Sequence, residues 1–285
     1  MAGGIIQVEK PTPPKSTSGR KLKAMLLFPP EWVPTAPYLA LPSLTAVLRQ
    51  HGHEVVQKDV NIEMYDYFFS DTFLIWVMAR MATQRRALEA KELTEGLTER
   101  EAAQKACLED AAGVDVLDLA ERAQEAKRIT RKEDFYDADK LGWALNTFRE
   151  VMQYISAAYY PASLVFYPME SNLGYRPGVS KEVFACLDDE QVNVYRDVCR
   201  QLVLPAVSRE TPDVVGVSIG TQMQLLAGLT FCKMIKEAFP DIHVTVGGNR
   251  SIVFSLRPLV LFERVGFSTW MMPPAIGFPS GPDAA

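Results

Sequence analysis

Glycine is missing where a nucleotide-binding turn would need it. The segment that follows the first apolar run reads FPPEWVPTAPYLALP and contains no glycine, so the G-x-G-x-x-G fingerprint of a dinucleotide site is excluded there. No G-x-x-x-x-G-K-[ST] phosphate loop occurs anywhere in the chain. Cysteine is scarce and scattered. The four residues, Cys107, Cys186, Cys199 and Cys232, show no C-x-x-C or C-x-x-x-C-x-x-C spacing, which argues against a metal or iron–sulfur ligand set within this sequence. Cys199 and Cys232 fall on apolar helical stripes and are expected to be buried structural thiols. Basic surplus is also absent: the net charge is −5, so the sequence offers no phosphate-neutralising surface and nucleic acid is not an expected partner. The longest apolar run, near residues 73–78, is soon interrupted by Arg80 and falls far short of the ~20 residues of a membrane span. The first twenty residues carry Lys10, Lys15 and Arg20 among prolines without an apolar block. They read as a flexible arm (1–20) rather than a secretion signal, which makes a cytoplasmic location the expectation.

What remains is the composition of a globular protein. Of 285 residues, 48% are hydrophobic and 23% charged, enough for one large core or two modest ones. Val214, Val215, Val217 and Ile219 form a short β-branched run, which predicts a strand buried on both faces. Thr221 and Gln224 stand at capping-box spacing. Leu225, Leu229, Cys232, Ile235 and Phe239 then recur at helical spacing until Pro240, and residues 243–246 predict another buried strand ending in Gly247-Gly248. A similar strand–helix–strand unit spans residues 22–58, with Leu44, Val47, Leu48 and His51 on one helical stripe, Gly52 closing the helix and a strand at 53–58. Two crossovers predict an α/β fold built on one doubly wound, Rossmann-like parallel sheet. Its ligand crevice should lie beyond the carboxyl ends of the strands, where the loop 29–41, the turn 218–222 and residues 247–250 meet.

About 150 residues separate the two units, which predicts a large helical insertion at 63–207 between sheet segments at 21–62 and 208–250. Helices are expected at 68–88, around Val116, Leu119, Ala120 and Ala123, at 141–154 and at 190–207. Their charge runs read as solvated faces. Residues 159–178, rich in aromatics and prolines, read either as an irregular arm over these helices or as a lid beside the crevice. Residues 251–285 read as a Pro/Gly-rich tail without an evident fifth strand, with 259–267 the candidate for a truncated one.

The first unit, LLFPPEWVPTAPYLALPSLTAVLRQHGHEVVQKDVNIE, resembles the N-terminal cobalamin-binding domain of cobalamin-dependent radical SAM enzymes of the class B methylase type. In that family a Pro-Pro loop ends the first strand, a Pro-led helix follows, Gly-His precedes the second strand and an Asp-Val-Asn-like sequence closes it. The later VVGVSIGTQ and VTVGGN fit as well. The resemblance implies that Ser218 and Gly247-Gly248, with 26 residues between Gly220 and Gly247, hold the nucleotide tail of cobalamin. The expected cofactor-binding set is Pro30, Glu31, Trp32, Val33, Tyr38, Leu41, Ser218, Gly220, Thr221, Gln222, Gly247, Gly248 and Asn249. The D-x-H-x-x-G motif that places a histidine on cobalt in other cobalamin proteins is absent. His51, His53 and His243 read as structural residues on the edge away from the crevice, and Trp32, Val33 or Tyr38 would crowd the lower face of the macrocycle.

The resemblance thus implies a module that carries a methyl group on cobalt for transfer to a carbon of a peptide or natural product. No residue stands at the spacing of a general base or nucleophile, and whether this chain is itself an enzyme stays open. S-adenosylmethionine and a [4Fe–4S] cluster would enter only with a radical SAM domain or partner chain that supplies the cysteine triad, as in a larger enzyme of which this sequence is a part. The alternatives are a non-catalytic corrinoid carrier or sensor, or a Rossmann-like module for another ligand.

Overall fold

The structure, a computed structural model, describes residues 21–166, 171–176, 179–248 and 268–269. Its centre is an all-parallel sheet of order β2-β1-β3-β4-β5. Four full strands, β1 (Lys23–Phe28), β2 (Glu54–Asp59), β3 (Val214–Ile219) and β4 (His243–Gly248), are joined by a two-residue β5 (Ser268–Thr269). The register sets Leu27 opposite Lys58 and Val217, and Ser218 opposite Gly247. Thr245 and Val246 pair with β5, so a short fifth strand is present where the tail promised none. The alternative strand at 259–267, and the sequence expectations for 1–20, 249–267 and 270–285, lie outside the described residues.

Side-chain alternation assigns the two sheet faces. Met25, Leu27, Val215, Val217, Ile219, Val244 and Val246 point to one face and belong to the main hydrophobic cluster, where each buried side chain of this kind contributes roughly 1.5–3 kcal/mol. This face is covered by α10 (Leu225–Ala238), whose buried residues include Leu225, Leu229, Cys232 and Ile235, as their periodicity predicts. Leu26, Phe28 and Val55 point to the other face, where α1 (Ala40–Gln50) lies with Leu41 buried. The cover here is thinner than the sequence suggests. Leu44 and Leu48 are only partly buried, Val47 is 51% exposed and His51 is exposed, so the apolar stripe of α1 is half open.

Helices fill most of the chain between β2 and β3: α2 (Val60–Phe68), α3 (Asp71–Thr94), α4 (Glu99–Ala112), α5 (Val116–Thr130), α6 (Ala138–Ala158), α7 (Ser180–Asp188), α8 (Val194–Val198) and α9 (Leu204–Glu210). They share one continuous core with the α10 face of the sheet. The helix expected at 68–88 forms as α3 from Asp71 onward, while Phe68 ends the preceding α2, so two helices meet there. Ser70 turns out of the first and its hydroxyl accepts from the Phe73 N–H at 3.2 Å, capping the second. The helix expected at 190–207 is interrupted by a π turn at Cys199–Val203 just before Pro205, which has no N–H to offer the helical ladder. Asn193 ties this region to α10, its side-chain amide donating to Cys186 O and Thr230 Oγ1 at 2.9 Å each. No helix among the described residues is long and apolar enough to cross a membrane.

Candidate functional site at the strand order reversal

The strand order turns back between β1 and β3, and the loops leaving these two strands diverge there. Two side chains hold the junction. Gln224, fully buried, donates from Nε2 to Pro29 O at 2.6 Å and accepts at Oε1 from the Gly220 and Thr221 N–H groups at 2.8 and 3.2 Å. Together with the Gln224 backbone N–H facing the Thr221 side chain, this forms the predicted capping box. Asn61, 1% exposed, clamps the β1 loop by accepting from the Trp32 N–H at 2.9 Å and donating to Trp32 O at 3.2 Å. Both residues shape the crevice. Asn61 was visible in the sequence only as the end of the Asp-Val-Asn segment, and Gln224 only as a cap.

The predicted residues separate into two neighbouring groups. On the α1 face, β3 presents Gly216 and Ser218 and the chain continues to Gly220, while β4 presents Thr245 and Gly247 beside them. Tyr38 lies on this corner. Its hydroxyl is 3.2 Å from Ser218 Oγ, its ring stacks on Phe28 with centroids 4.1 Å apart, and Trp32 meets it edge-on at 5.5 Å. A Cβ on Gly220 would stand 3.1 Å from the Tyr38 ring. The corner expected to be vacant between Ser218 and Gly220 is therefore covered by the protein's own tyrosine. Trp32 is further fixed by its indole N–H, which donates to Ala36 O at 2.9 Å, and Ala36 N–H returns to Val33 O at 3.1 Å. Leu41 packs into the core beneath α1 rather than facing the crevice.

Below Tyr38 the α1 face is open. A groove of about 280 Å³ runs between sheet and helix, lined by Ala24, Leu26, Leu44, Leu48, Gly216 and Thr245. It exists because small residues on β1 and β3 face a helix set to one side. At its far end His53 accepts from the Leu22 N–H at 3.4 Å. His51 caps the end of α1 and His243 begins β4, so all three histidines stand at the amino ends of the strands, away from the crevice.

The second group opens toward the helices. A cavity of about 380 Å³ at the mouth of β1 and β3 is lined by Glu31, Ser171, Tyr175, Tyr195, Gln222 and Leu226, among others. Glu31 is 8% exposed and accepts from the Tyr195 hydroxyl at 2.8 Å and the Ser171 N–H at 3.2 Å. Burial first, then the Glu31 carboxylate, holds Tyr195 well above the ordinary phenol range, so its proton stays on the hydroxyl and donates. Glu31 thus tethers the β1 loop to the aromatic segment around Ser171. Pro30 is buried at the root of this loop.

Gly248 requires a correction. Its φ is +146°, and a Cβ there would meet Ile219 O at 1.8 Å. The missing side chain lets β4 pass β3; it does not keep a ligand path clear. Asn249 lies outside the described residues.

Among the described residues no group of three or more His, Cys, Asp and Glu is arranged to hold a metal ion. Cys186, Cys199 and Cys232 are buried thiols and Cys107 is partly buried. Comparison of the chain with protein families, curated proteins and solved structures gives no match.

Proposed function

We propose that this chain is a corrinoid-binding module of the methyl-transferring, cobalamin-dependent radical SAM type, with its sheet doubly wound in the cobalamin-binding manner. The carboxyl ends of the strands would be the platform for the macrocycle, and the α1 face the sheath for the nucleotide tail. One observation carries the reading. Gly216, Ser218 and Gly220 alternate onto the same face beside Thr245 and Gly247, directly above an apolar groove that α1 leaves uncovered.

When bound, the corrinoid supplies a cobalt able to carry a methyl group. The chain's own residues would do the rest. Trp32 and Tyr38 form an aromatic rim, Gln224 ties the β1 loop to the β3 turn, Asn61 anchors the β1 loop to α2, and Ser218 exchanges its bond to Tyr38 for one to the ligand. S-adenosylmethionine and a [4Fe–4S] cluster would come from a radical SAM domain or partner chain.

A second reading, a Rossmann-like module for a smaller ligand, is favoured by Tyr38 lying over the Ser218 corner. Mixing the protein with hydroxocobalamin, desalting and recording the visible spectrum separates these. Retention of about one corrinoid per chain is expected, with Tyr38 turning out of the Ser218 corner to admit the tail. Gly216→Ile should abolish it while the fold survives, because a Cβ at this position meets the movable tip of Leu26 at 3.1 Å and Thr245 Cγ2 at an ordinary 3.8 Å, and the branches beyond it fill the groove. A colourless protein would overturn the corrinoid reading. Retention unchanged in Gly216→Ile would overturn the groove as the tail site.

A further inference from the structure

A second cavity lies among the helices, beside Tyr65 and the β1 loop. Its volume is about 410 Å³, within the range of small-molecule sites. Four largely buried rings wall it: Tyr65 of α2, Phe69 just after it, Phe148 of α6, and Phe166 from the aromatic segment. They hold each other rigidly. Phe69 stacks on Phe148 with centroids 4.3 Å apart, and Phe166 meets Tyr65 edge-on at 5.2 Å and Phe148 at 5.1 Å. The rim is apolar as well, since Ile62 and Phe135 both line the cavity and are each 37% exposed.

The mouth carries an uneven charge. Lys127 and Arg131, at the end of α5, both pair with the single carboxylate of Asp66, Lys127 at 3.4 Å. These three are the charged residues lining the cavity, and they leave an excess of one positive charge. The carbonyl end of the α5 dipole offsets part of it, by about half an elementary charge. The excess still favours an anion over a cation. Pro34 and Thr35 of the β1 loop close one side, so an occupant would touch the same loop that carries Trp32 and Tyr38.

We propose that this cavity binds a small aromatic carboxylate, its ring among Tyr65, Phe69, Phe148 and Phe166 and its carboxylate on Arg131 and Lys127. The site stands on the helical residues and does not depend on the corrinoid reading. Its test uses 4-phenylbutyrate, 4-phenyl-1-butanol and 4-phenylbutylamine, with saturation-transfer NMR and calorimetry on the whole chain. The acid should bind one per chain, with the alcohol about two- to fivefold weaker, the range of a partly exposed ion pair, and the amine weaker still. Arg131→Met, at a side chain 57% exposed, should make acid and alcohol equal without changing the melting temperature or hydroxocobalamin retention. Ile62→Trp, placed at the open rim, should block both ligands. Absence of saturation transfer to any of the three would overturn the proposal. So would an alcohol or amine that binds as well as the acid, an acid preference that survives Arg131→Met, or binding that survives Ile62→Trp in a folded protein.

Discussion

Replacing Tyr38 with phenylalanine should strengthen corrinoid binding. In the structure the Tyr38 hydroxyl meets Ser218 Oγ at 3.2 Å, closing the corner at the top of the α1 face, while its ring stacks on Phe28 at 4.1 Å. If the tail must pass this corner, the binding-competent state is one with Tyr38 turned out, and the measured affinity is reduced by the fraction of time it is so. Tyr38→Phe keeps the ring stack and removes one neutral hydrogen bond, a net change of about 0.5–1.5 kcal/mol in favour of opening. At 1.4 kcal/mol per tenfold, this converts to an affinity gain of about two- to tenfold. Tyr38→Ala also loses the ring contacts to Phe28 and Trp32, each about 0.5–1.5 kcal/mol, and should gain more. Both variants should melt earlier without ligand. Titration of hydroxocobalamin followed in the visible, with thermal melts of the free proteins, reads both effects. Weaker or unchanged binding in both variants, alongside the expected loss of stability, would refute the gating role of Tyr38.

Other consequences follow from the same coordinates. Gly248→Ala should cost more than about 4 kcal/mol in chemical denaturation or leave the protein insoluble, because its Cβ would meet Ile219 O at 1.8 Å in a backbone conformation that side chains rarely adopt; a stable Gly248→Ala protein would contradict this strand geometry. Glu101 is held at about 2 by its bond to Lys91 and its capping bonds to Thr98, below the ordinary 4.5. Its stabilising effect is therefore full above pH 4.5 and disappears as pH falls toward 2, so Glu101→Gln should be less stable than wild type at neutral pH and equal to it near pH 2. A constant difference across that window would be inconsistent with the pairing. Burial raises all four thiols, Cys186 to about 12, so an aromatic disulfide reagent at pH 8 should modify Cys107 slowly and the other three only on unfolding. Rapid reaction of Cys199 or Cys232 in the native protein would show that the α10 face is not closed.

The two strand–helix–strand units were legible because their signals are local. Apolar runs of strand length, a helical stripe on residues 225–239 and Gly52 at φ +83° after α1 all act within a few residues. Element breaks were less legible. The apolar pattern continues through Phe68, Phe69 and Phe73, and only the Ser70 cap marks where α2 ends and α3 begins. The openness of the α1 face could not be read from the stripe of Leu44, Val47 and Leu48, because periodicity states which side is apolar and not how much of it is covered. The site's least legible features are contacts across long stretches of chain. Tyr38 reaches Ser218 over 180 residues and Glu31 reaches Tyr195 over 164, and no spacing rule connects such pairs. Gly248 was legible as a required glycine, but its reason, the Ile219 carbonyl, belongs to the neighbouring strand.

The most direct test of the account compares hydroxocobalamin with cobinamide, which has the same macrocycle and lacks the nucleotide tail. If the groove beneath Tyr38 sheathes that tail, cobalamin should bind at least about tenfold more tightly, a difference of about 1.4 kcal/mol that burial of roughly 60 Å² of apolar surface supplies. Equal affinities, or no affinity for either, would contradict it.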